Sequence, residues 1–309
     1  MYILTIAKPN SNLISSKKPQ GIQIGLWSAF VSSAYLLLAD YLLNHFSSFW
    51  LLFTALIALP LSISTIWANR KKYAAWSRVA WATFALVGIL SGAYNFAFLI
   101  SADNLPISVA SMFLSISSVM VLPLTCVISK RWPQKLEIGS IAMVFFGVTL
   151  ILELQPGKYS WLGLAFGLTA TFLSANATIY SSRARNILKP SEAMISKQLG
   201  KLAFAVIGLT IFIKDDVNSR DLNFYLWVLL GLYGVLKIYD TYIASQAQFA
   251  LPPLIFQNLS LLSLPLVCVA EVILFKGTFT YWQWAGVIAI ILAGFLASRS
   301  KQARLKPIK

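Results

Sequence analysis

The chain has 309 residues, of which 58% are hydrophobic and only 11% are charged. A soluble globular domain carries about 25% charged residues, so this composition excludes a water-soluble protein and indicates one whose surface faces lipid. The net charge of +15 would suit nucleic acid only if the basic residues shared one surface. They fall in short connections between apolar stretches, so we expect membrane lipids and no nucleic acid as partners.

Ten apolar stretches follow one another along the chain. A helix needs roughly 20 apolar residues to cross a hydrocarbon core about 30 Å thick. The stretches predict crossings near residues 22–43, 47–67, 79–101, 106–128, 136–154, 159–180, 199–213, 224–247, 252–275 and 281–297. The seventh is the shortest. The sequence therefore predicts an all-α integral membrane protein with ten transmembrane helices.

The basic residues alternate between the two sides of these crossings. With the N-terminus in the cytoplasm, 20 of the 25 Lys and Arg residues lie on the cytoplasmic side and four lie outside, while Lys237 falls within a crossing. Lys197 and Lys201 are counted here with the connection before the seventh crossing, although residue 201 falls within the bounds of that crossing. An excess of Lys and Arg in cytoplasmic loops is the usual orientation signal. It predicts a multi-pass protein of the cell (inner) membrane with both termini cytoplasmic.

The second half of the chain echoes the first at an offset of 147 residues. Pro106 falls on Pro253, Gly139 falls on Gly286, and the strings IGSIAMVFFG and AGVIAIILAG align. Five helices per half would place the halves in opposite orientations, the usual plan of secondary transporters. The predicted divisions are a tail at 1–21, repeats at 22–154 and 155–298, and a basic tail at 299–309.

The segments AFLISADNLPISVASMFLSISSVMVLPLTCVISKRWPQKLEIGSIAMVFFGVTLIL and YIASQAQFALPPLIFQNLSLLSLPLVCVAEVILFKGTFTYWQWAGVIAIILAGFLA resemble the two repeats of EamA-type members of the drug/metabolite transporter superfamily. Two features depart from that pattern. In the first half, Ser118 stands where the family has a proline in the middle of the fourth helix; the second half has that proline, Pro265. The Gly-Glu pair that usually follows the fourth helix is absent. The resemblance implies two interlocking halves around a cavity lined by helices 1, 3, 4, 6, 8 and 9, and transport of amino acids, other metabolites or drugs, often outward.

Two charged residues share one face of the eighth crossing. Lys237 and Asp240 are three residues apart, and an ionisable group at this depth is expensive unless it faces a cavity or a partner. They could bind a carboxylate and an amine, or neutralise each other as a structural pair. Tyr239 and Tyr242 flank Asp240 and could form an aromatic cage for an ammonium or simply pack.

Small polar residues mark the fourth crossing and its repeat equivalent. The serines of the fourth crossing recur at helical spacing, so they form one stripe that could line the cavity or allow close helix packing. The candidate cavity residues of these and the third crossing are Ser111, Ser115, Ser118, Asn258, Tyr94 and Asn95.

Two carboxylates near the outer ends of crossings are candidates for proton coupling. Asp40 lies in the first crossing and Glu271 in the ninth. Burial would raise the pKa of either group, whereas an interfacial position would leave it in contact with water. The glycine pairs Gly88/Gly92 and Gly163/Gly167 predict packing seams between helices.

These features predict a secondary transporter for a small polar, zwitterionic, amino-acid-like metabolite, working by alternating access and outward. Lys237 would hold the carboxylate. The alternatives are proton-coupled efflux of drugs or organic cations, and transport of a phosphorylated metabolite, which would need more cavity cations than Lys237 alone. No P-loop, HExxH or nucleophile motif is present. We therefore expect no enzyme activity, no cofactor and no metal. The expected partners are a small-molecule substrate, membrane lipids and a candidate coupling proton. Two five-helix halves would form a whole pathway, so we expect a monomer.

Overall fold

The computed structural model describes residues 18–46, 48–105, 107–128, 130, 132–152, 160–212, 224–275 and 280–299, and every regular element in these ranges is helical. The helices are α1 (Lys18–Leu43), α2 (Ser48–Phe53), α3 (Leu59–Ala68), α4 (Arg70–Ala74), α5 (Arg78–Asn104), α6 (Ile107–Ile128), α7 (Lys135–Leu152), α8 (Trp161–Ala184), α9 (Pro190–Phe212), α10 (Phe224–Ala250), α11 (Pro253–Ser260), α12 (Ser263–Phe275) and α13 (Tyr281–Arg299), with a 3-10 helix at Thr54–Ala58.

Five helical segments are long and apolar enough to cross a membrane. They are Gln20–Leu43, Trp50–Ala68, Arg78–Asn104, Trp161–Ala184 and Phe224–Ala250. The outer surface of the bundle is apolar: Phe30, Ile63 and Phe146 are each more than half exposed. Many large apolar side chains are exposed in this way, which is expected of a surface in contact with lipid. The chain is therefore a multi-pass membrane protein.

The ninth predicted crossing is two helices instead of one. α11 ends at Ser260 and α12 begins at Ser263. Pro265 has no N–H group with which to continue the hydrogen-bond ladder, and it lies in the first turn after the break. The hydroxyl of Ser33 on α1 donates to the carbonyl oxygen of Ser263 at 3.2 Å, which connects α1 to the start of α12.

The seventh crossing begins earlier than the sequence pattern indicated. α9 starts at Pro190, where a proline at the first helical position loses no hydrogen bond. The carboxylate of Glu192 accepts from the backbone N–H of Lys189 at 2.8 Å, which caps the helix start. The prediction that placed Lys197 and Lys201 in a connection is therefore wrong, because both residues lie inside α9.

Helices of the first half pack mainly against helices of the second half. α5 packs on α8 and α9, α1 packs on α10 and α12, and α7 packs on α13. One hydrophobic cluster between them includes Leu42, Phe98 and Tyr233. The two halves therefore share core residues.

Glycines allow close contact in two helix pairs, α5 with α9 and α6 with α8. A Cβ atom at Gly200 on α9 would overlap the carbonyl oxygen of Gly88 on α5, and one at Gly92 would overlap that of Gly200. A Cβ atom at Gly167 on α8 would lie 2.5 Å from the ring of Phe113 on α6. The predicted packing seams are thus confirmed, as small residues permit such close approach.

One ion pair joins the two halves at the end of the bundle. Lys72 of α4 contacts Glu192, whose side chain is buried. Burial raises the pKa of the nearby Tyr73 phenol, and the Glu192 carboxylate raises it further. This contact fixes the α3–α5 connection against the start of α9.

Candidate functional site

A polar cavity of about 130 Å³ lies between the two halves of the bundle. It is lined by side chains from α1, α5, α6, α8, α10 and α11, and also from α9. Most of its polar lining consists of hydroxyls, amides and charged groups. The helices implied by the family resemblance are all present, and α9, the seventh crossing, is an addition to them.

Asp240 lies on the wall of this cavity and is only 8% exposed. Its Oδ1 atom accepts hydrogen bonds from the hydroxyls of Ser28 at 3.0 Å and Ser32 at 2.8 Å. The two serines are one turn apart on α1, so a single face of α1 holds the carboxylate. Such hydrogen bonds offset part of the cost of removing a charge from water.

Two lysines that the sequence pattern had placed in a connection line the same cavity. Lys197 and Lys201 are 6% and 3% exposed. The Lys197 ammonium donates to Gln248 Oε1 at 2.6 Å and Ser245 Oγ at 3.1 Å, and the Lys201 ammonium donates to Thr241 Oγ1 at 2.7 Å. All three acceptors are neutral groups on α10.

A signal for these lysines was present in the sequence. Lys197 and Lys201 are four residues apart, hence on one helix face, and Pro190 with Glu192 forms a helix start seven residues before Lys197. The positive-inside pattern assigned them to a loop because basic residues are common there.

Lys237 lies beside the main cavity instead of in it. Its ammonium is 3.7 Å from the centroid of the Tyr35 ring, a cation–π geometry. It lines a second, smaller space together with Lys201 and Asn95. The Tyr35 ring also lines the main cavity, so it separates Lys237 from that space.

The two tyrosines that flank Asp240 point away from the cavity. Tyr239 and Tyr242 are 46% and 39% exposed, and the Tyr239 hydroxyl accepts from the indole N–H of Trp27 at 3.2 Å. Helical geometry rotates adjacent residues by about 100°, so a neighbour of Asp240 cannot share its direction. These residues do not form the predicted aromatic cage around Asp240; Tyr35 and Tyr94 line the cavity in their place.

The two candidates of the third crossing separate in the structure. Tyr94 lines the main cavity. Asn95 is buried, lines the smaller space, and donates from Nδ2 to the backbone carbonyl of Ser91 at 2.7 Å. Asn95 is therefore a packing residue of α5 as well as a neighbour of Lys237.

Several other candidates are placed only by their helix. Ser111, Ser115 and Ser118 lie on α6, Asn258 on α11 and Glu271 on α12, and their side chains fall outside the part of the structure that is described. Asp40 is half-buried near the end of α1 and is not among the lining residues.

Described neighbours of these positions do line the cavity. Ser117 lies 3.4 Å from the Ser174 hydroxyl, and the Gln257 amide donates to the Thr178 hydroxyl at 2.6 Å. The Ser181 hydroxyl is buried and, within the described residues, has no hydrogen-bond partner. A buried hydroxyl that lacks a partner is uncommon and indicates a donor available to a bound molecule.

Comparison with known proteins agrees with this architecture. Residues 19–153 match the model of the EamA-like transporter family. No curated protein matches the chain. A solved structure described only as "Crystal structure of protein" matches 93% of this chain and 98% of its own, with 14% sequence identity and a TM-score of 0.63, which supports the fold alone. The match over residues 19–153 and the multi-pass helical fold thus support a likeness to EamA-type transporters of the drug/metabolite superfamily.

Proposed function

We propose that this protein is a ten-helix secondary transporter that carries a small polar metabolite by alternating access. The observation that supports this most directly is the cavity, which lies between the halves and is lined by buried charged and hydroxyl groups. Polar groups inside a membrane protein are retained where they line a path for a polar solute. The break between α11 and α12 beside this cavity also supports it, since discontinuous helices form many transporter sites.

The pattern of helix packing supports two inverted repeats. Under the 147-residue offset, the contact of α5 with α8 corresponds to that of α10 with α1. The contact of α6 with α8 likewise corresponds to that of α12 with α1, and α7 packs on its own equivalent, α13. Such reciprocity is expected when two copies of one unit are related by an approximate two-fold axis.

The orientation proposed has both termini in the cytoplasm. Without Lys197 and Lys201, 18 basic residues remain in the cytoplasmic tails and connections, against four outside. We place the protein in the cell membrane as a monomer, and infer export from the family resemblance. Asp40 and Glu271 are the proposed groups for proton coupling.

The charges of the cavity favour a cargo with an acidic group. Lys197 and Lys201 can hold a carboxylate or phosphate, and Asp240 can receive an amine of a zwitterion. Efflux of organic cations is less well supported, because two lysines repel a cation and Tyr239 and Tyr242 face outward.

The first test is transport by purified protein in proteoliposomes. Charge movement and labelled counterflow would be measured for amino acids, quaternary amines and phosphorylated metabolites, with and without a pH step. We expect saturable transport of one class. Ala177 lines the cavity on α8, so Ala177→Phe should fill the space and abolish that transport.

The control is Ala165→Phe, which adds the same ring to the exposed face of α8 and should leave transport intact. If no member of the panel is carried, or if the Ala177→Phe variant transports as well as the unmodified protein, the proposed path is wrong.

A further inference from the structure

The region around the main cavity holds more positive than negative charge. Lys197, Lys201 and Lys237 are the cations, and Asp240 is the carboxylate among the side chains described there. Lys201 interacts electrostatically with all three of the other groups. If all four groups carry their usual charge, the region has an excess of two positive charges.

Neither cavity lysine forms a direct ion pair with a carboxylate within the described residues, although Asp240 interacts with both electrostatically. Among the described residues the ion pair is Lys72–Glu192, which lies at the end of the bundle and not in the cavity. The hydrogen-bond partners of Lys197 and Lys201 are an amide and hydroxyls. A buried charge normally requires an opposite charge nearby, because neutral hydrogen bonds do not replace its full hydration. The missing negative charge can come from a bound anion.

α10 fixes the spacing of the two ammonium groups. The acceptors lie on one face of α10. Thr241 accepts from Lys201, and Ser245 and Gln248 accept from Lys197. The two lysines are one helical turn apart on α9, which corresponds to about 5–6 Å between Cβ atoms. Two cations on one face of α9, one turn apart, suit two acidic groups of a short molecule, or one phosphate that contacts both lysines.

The Ser181 hydroxyl is a second feature of the cavity that a bound ligand would explain. It is 1% exposed, lines the same cavity, and has no hydrogen-bond partner among the described residues. A hydroxyl can donate to an oxyanion as well as to a neutral oxygen, so an anion between α8 and α9 would satisfy it.

We propose that the cargo is an organic dianion, either a dicarboxylate or a phosphate monoester, bound by Lys197 and Lys201 with Ser181 as a further donor. This inference rests on the proposed transport function and specifies its substrate class. The negative charge of the cargo would balance the excess positive charge that the site has when its three lysines and Asp240 are all ionised.

The experiment measures counterflow and thermal stabilisation with labelled succinate, glycerol 3-phosphate, alanine and choline. We expect succinate or glycerol 3-phosphate to be carried and to raise the melting temperature, and the two arms identify the acidic group. Lys197→Gln and Lys201→Gln should weaken binding roughly ten- to a hundredfold, as expected for a lost charged hydrogen bond. Lys189→Gln, an exposed lysine just before α9, is the matched control and should change nothing.

Ser181→Ala provides a test that does not depend on a buried lysine. Removal of an unpaired hydroxyl should not destabilise the fold, yet dianion binding should weaken roughly two- to tenfold. Lys201→Arg, which keeps the charge, should retain more dianion transport than Lys201→Gln.

Two results would overturn the inference. Transport of alanine or choline that neither dianion inhibits would leave the transporter proposal intact and refute the dianion. Absence of dianion binding and uptake in a folded protein would refute it as well, whatever the protein does with the other probes.

Discussion

At the scale of single residues, the site depends on a balance between Asp240 and its three neighbouring lysines. Ser28 and Ser32 on α1 donate hydrogen bonds to the carboxylate, and Lys201 on α9 interacts with its charge. Asp240 therefore has two roles: it connects α1 to α10 through hydrogen bonds, and it offsets part of the positive charge.

Asp240→Asn separates these roles. The amide oxygen can still accept from Ser28 and Ser32, but the negative charge is lost, so we expect lower thermal stability because the lysines then repel one another unopposed. The double variant Asp240→Asn/Lys201→Gln removes one charge of each sign and should recover part of that loss. The coupling should be on the order of 0.5–3 kcal/mol, the range for interacting residues.

The measurement is chemical or thermal unfolding of the detergent-solubilised protein, compared across the four members of this cycle. Strictly additive effects of the two substitutions would show that Asp240 and Lys201 do not interact, and would contradict the proposed charge balance.

The sequence located some site residues and missed others for a physical reason. Lys237 and Asp240 stand out because a charge within an apolar run is rare. Lys197 and Lys201 lie where the apolar run of the seventh crossing begins. At such a boundary, the composition of a loop and that of a helix end are alike. Tyr239 and Tyr242 are close to Asp240 in sequence but point elsewhere, because direction along a helix depends on rotation as well as on proximity.

At the scale of helices, the two fourth helices of the repeats differ in continuity, although α6 also contains a proline, Pro123. α6 runs unbroken from Ile107 to Ile128 with Ser118 at the middle, whereas Pro265 at the equivalent place follows the break between α11 and α12. The departure at Ser118 was visible in the sequence. Its consequence required the structure, since proline can kink a helix or end it.

The α5–α9 seam predicts a large effect from one methyl group. Gly200→Ala should destabilise the protein by roughly 1–3 kcal/mol, because the new Cβ atom would overlap the Gly88 carbonyl oxygen and force the helices apart. The melting temperature of the solubilised protein, followed by size-exclusion chromatography after heating, reports this change.

Gly231→Ala is the matched control on α10. A Cβ atom there meets no neighbouring atom within 4 Å, so the substitution should be neutral or slightly stabilising, since alanine is the better helix former. Equal melting temperatures for the two variants would show that the close contact of α5 and α9 is not maintained in the folded protein.

At the scale of the whole molecule, the ten apolar stretches correspond to helical segments of the bundle, and the family match over residues 19–153 supports a membrane transporter. Composition and helical length were enough to predict this class. The arrangement of helices around the cavity was not readable in the same way, because it depends on which faces meet across the two halves. α9 contributes to the cavity wall because it starts at Pro190, which places Lys197 and Lys201 inside the helix.

Orientation is the remaining property of the whole molecule that the charge pattern predicts. We expect Lys71 in the α3–α5 connection to lie in the cytoplasm and Tyr281, at the start of α13, to face the outside. Both side chains are exposed, Tyr281 at 94%, so each position can be labelled. In a background with Cys126 and Cys268 replaced by alanine, Lys71→Cys and Tyr281→Cys would be treated with a membrane-impermeant maleimide.

Intact cells should show labelling of the Tyr281→Cys variant, and the Lys71→Cys variant should react only after the membrane is permeabilised. These two positions are separated by seven predicted crossings, an odd number, so they must lie on opposite sides if every crossing forms. Labelling of both variants in intact cells would mean that one helical segment does not cross, which would break the inverted symmetry of the halves. The reverse pattern would keep ten crossings but place the 18 basic residues outside, against the orientation that lysine and arginine normally impose.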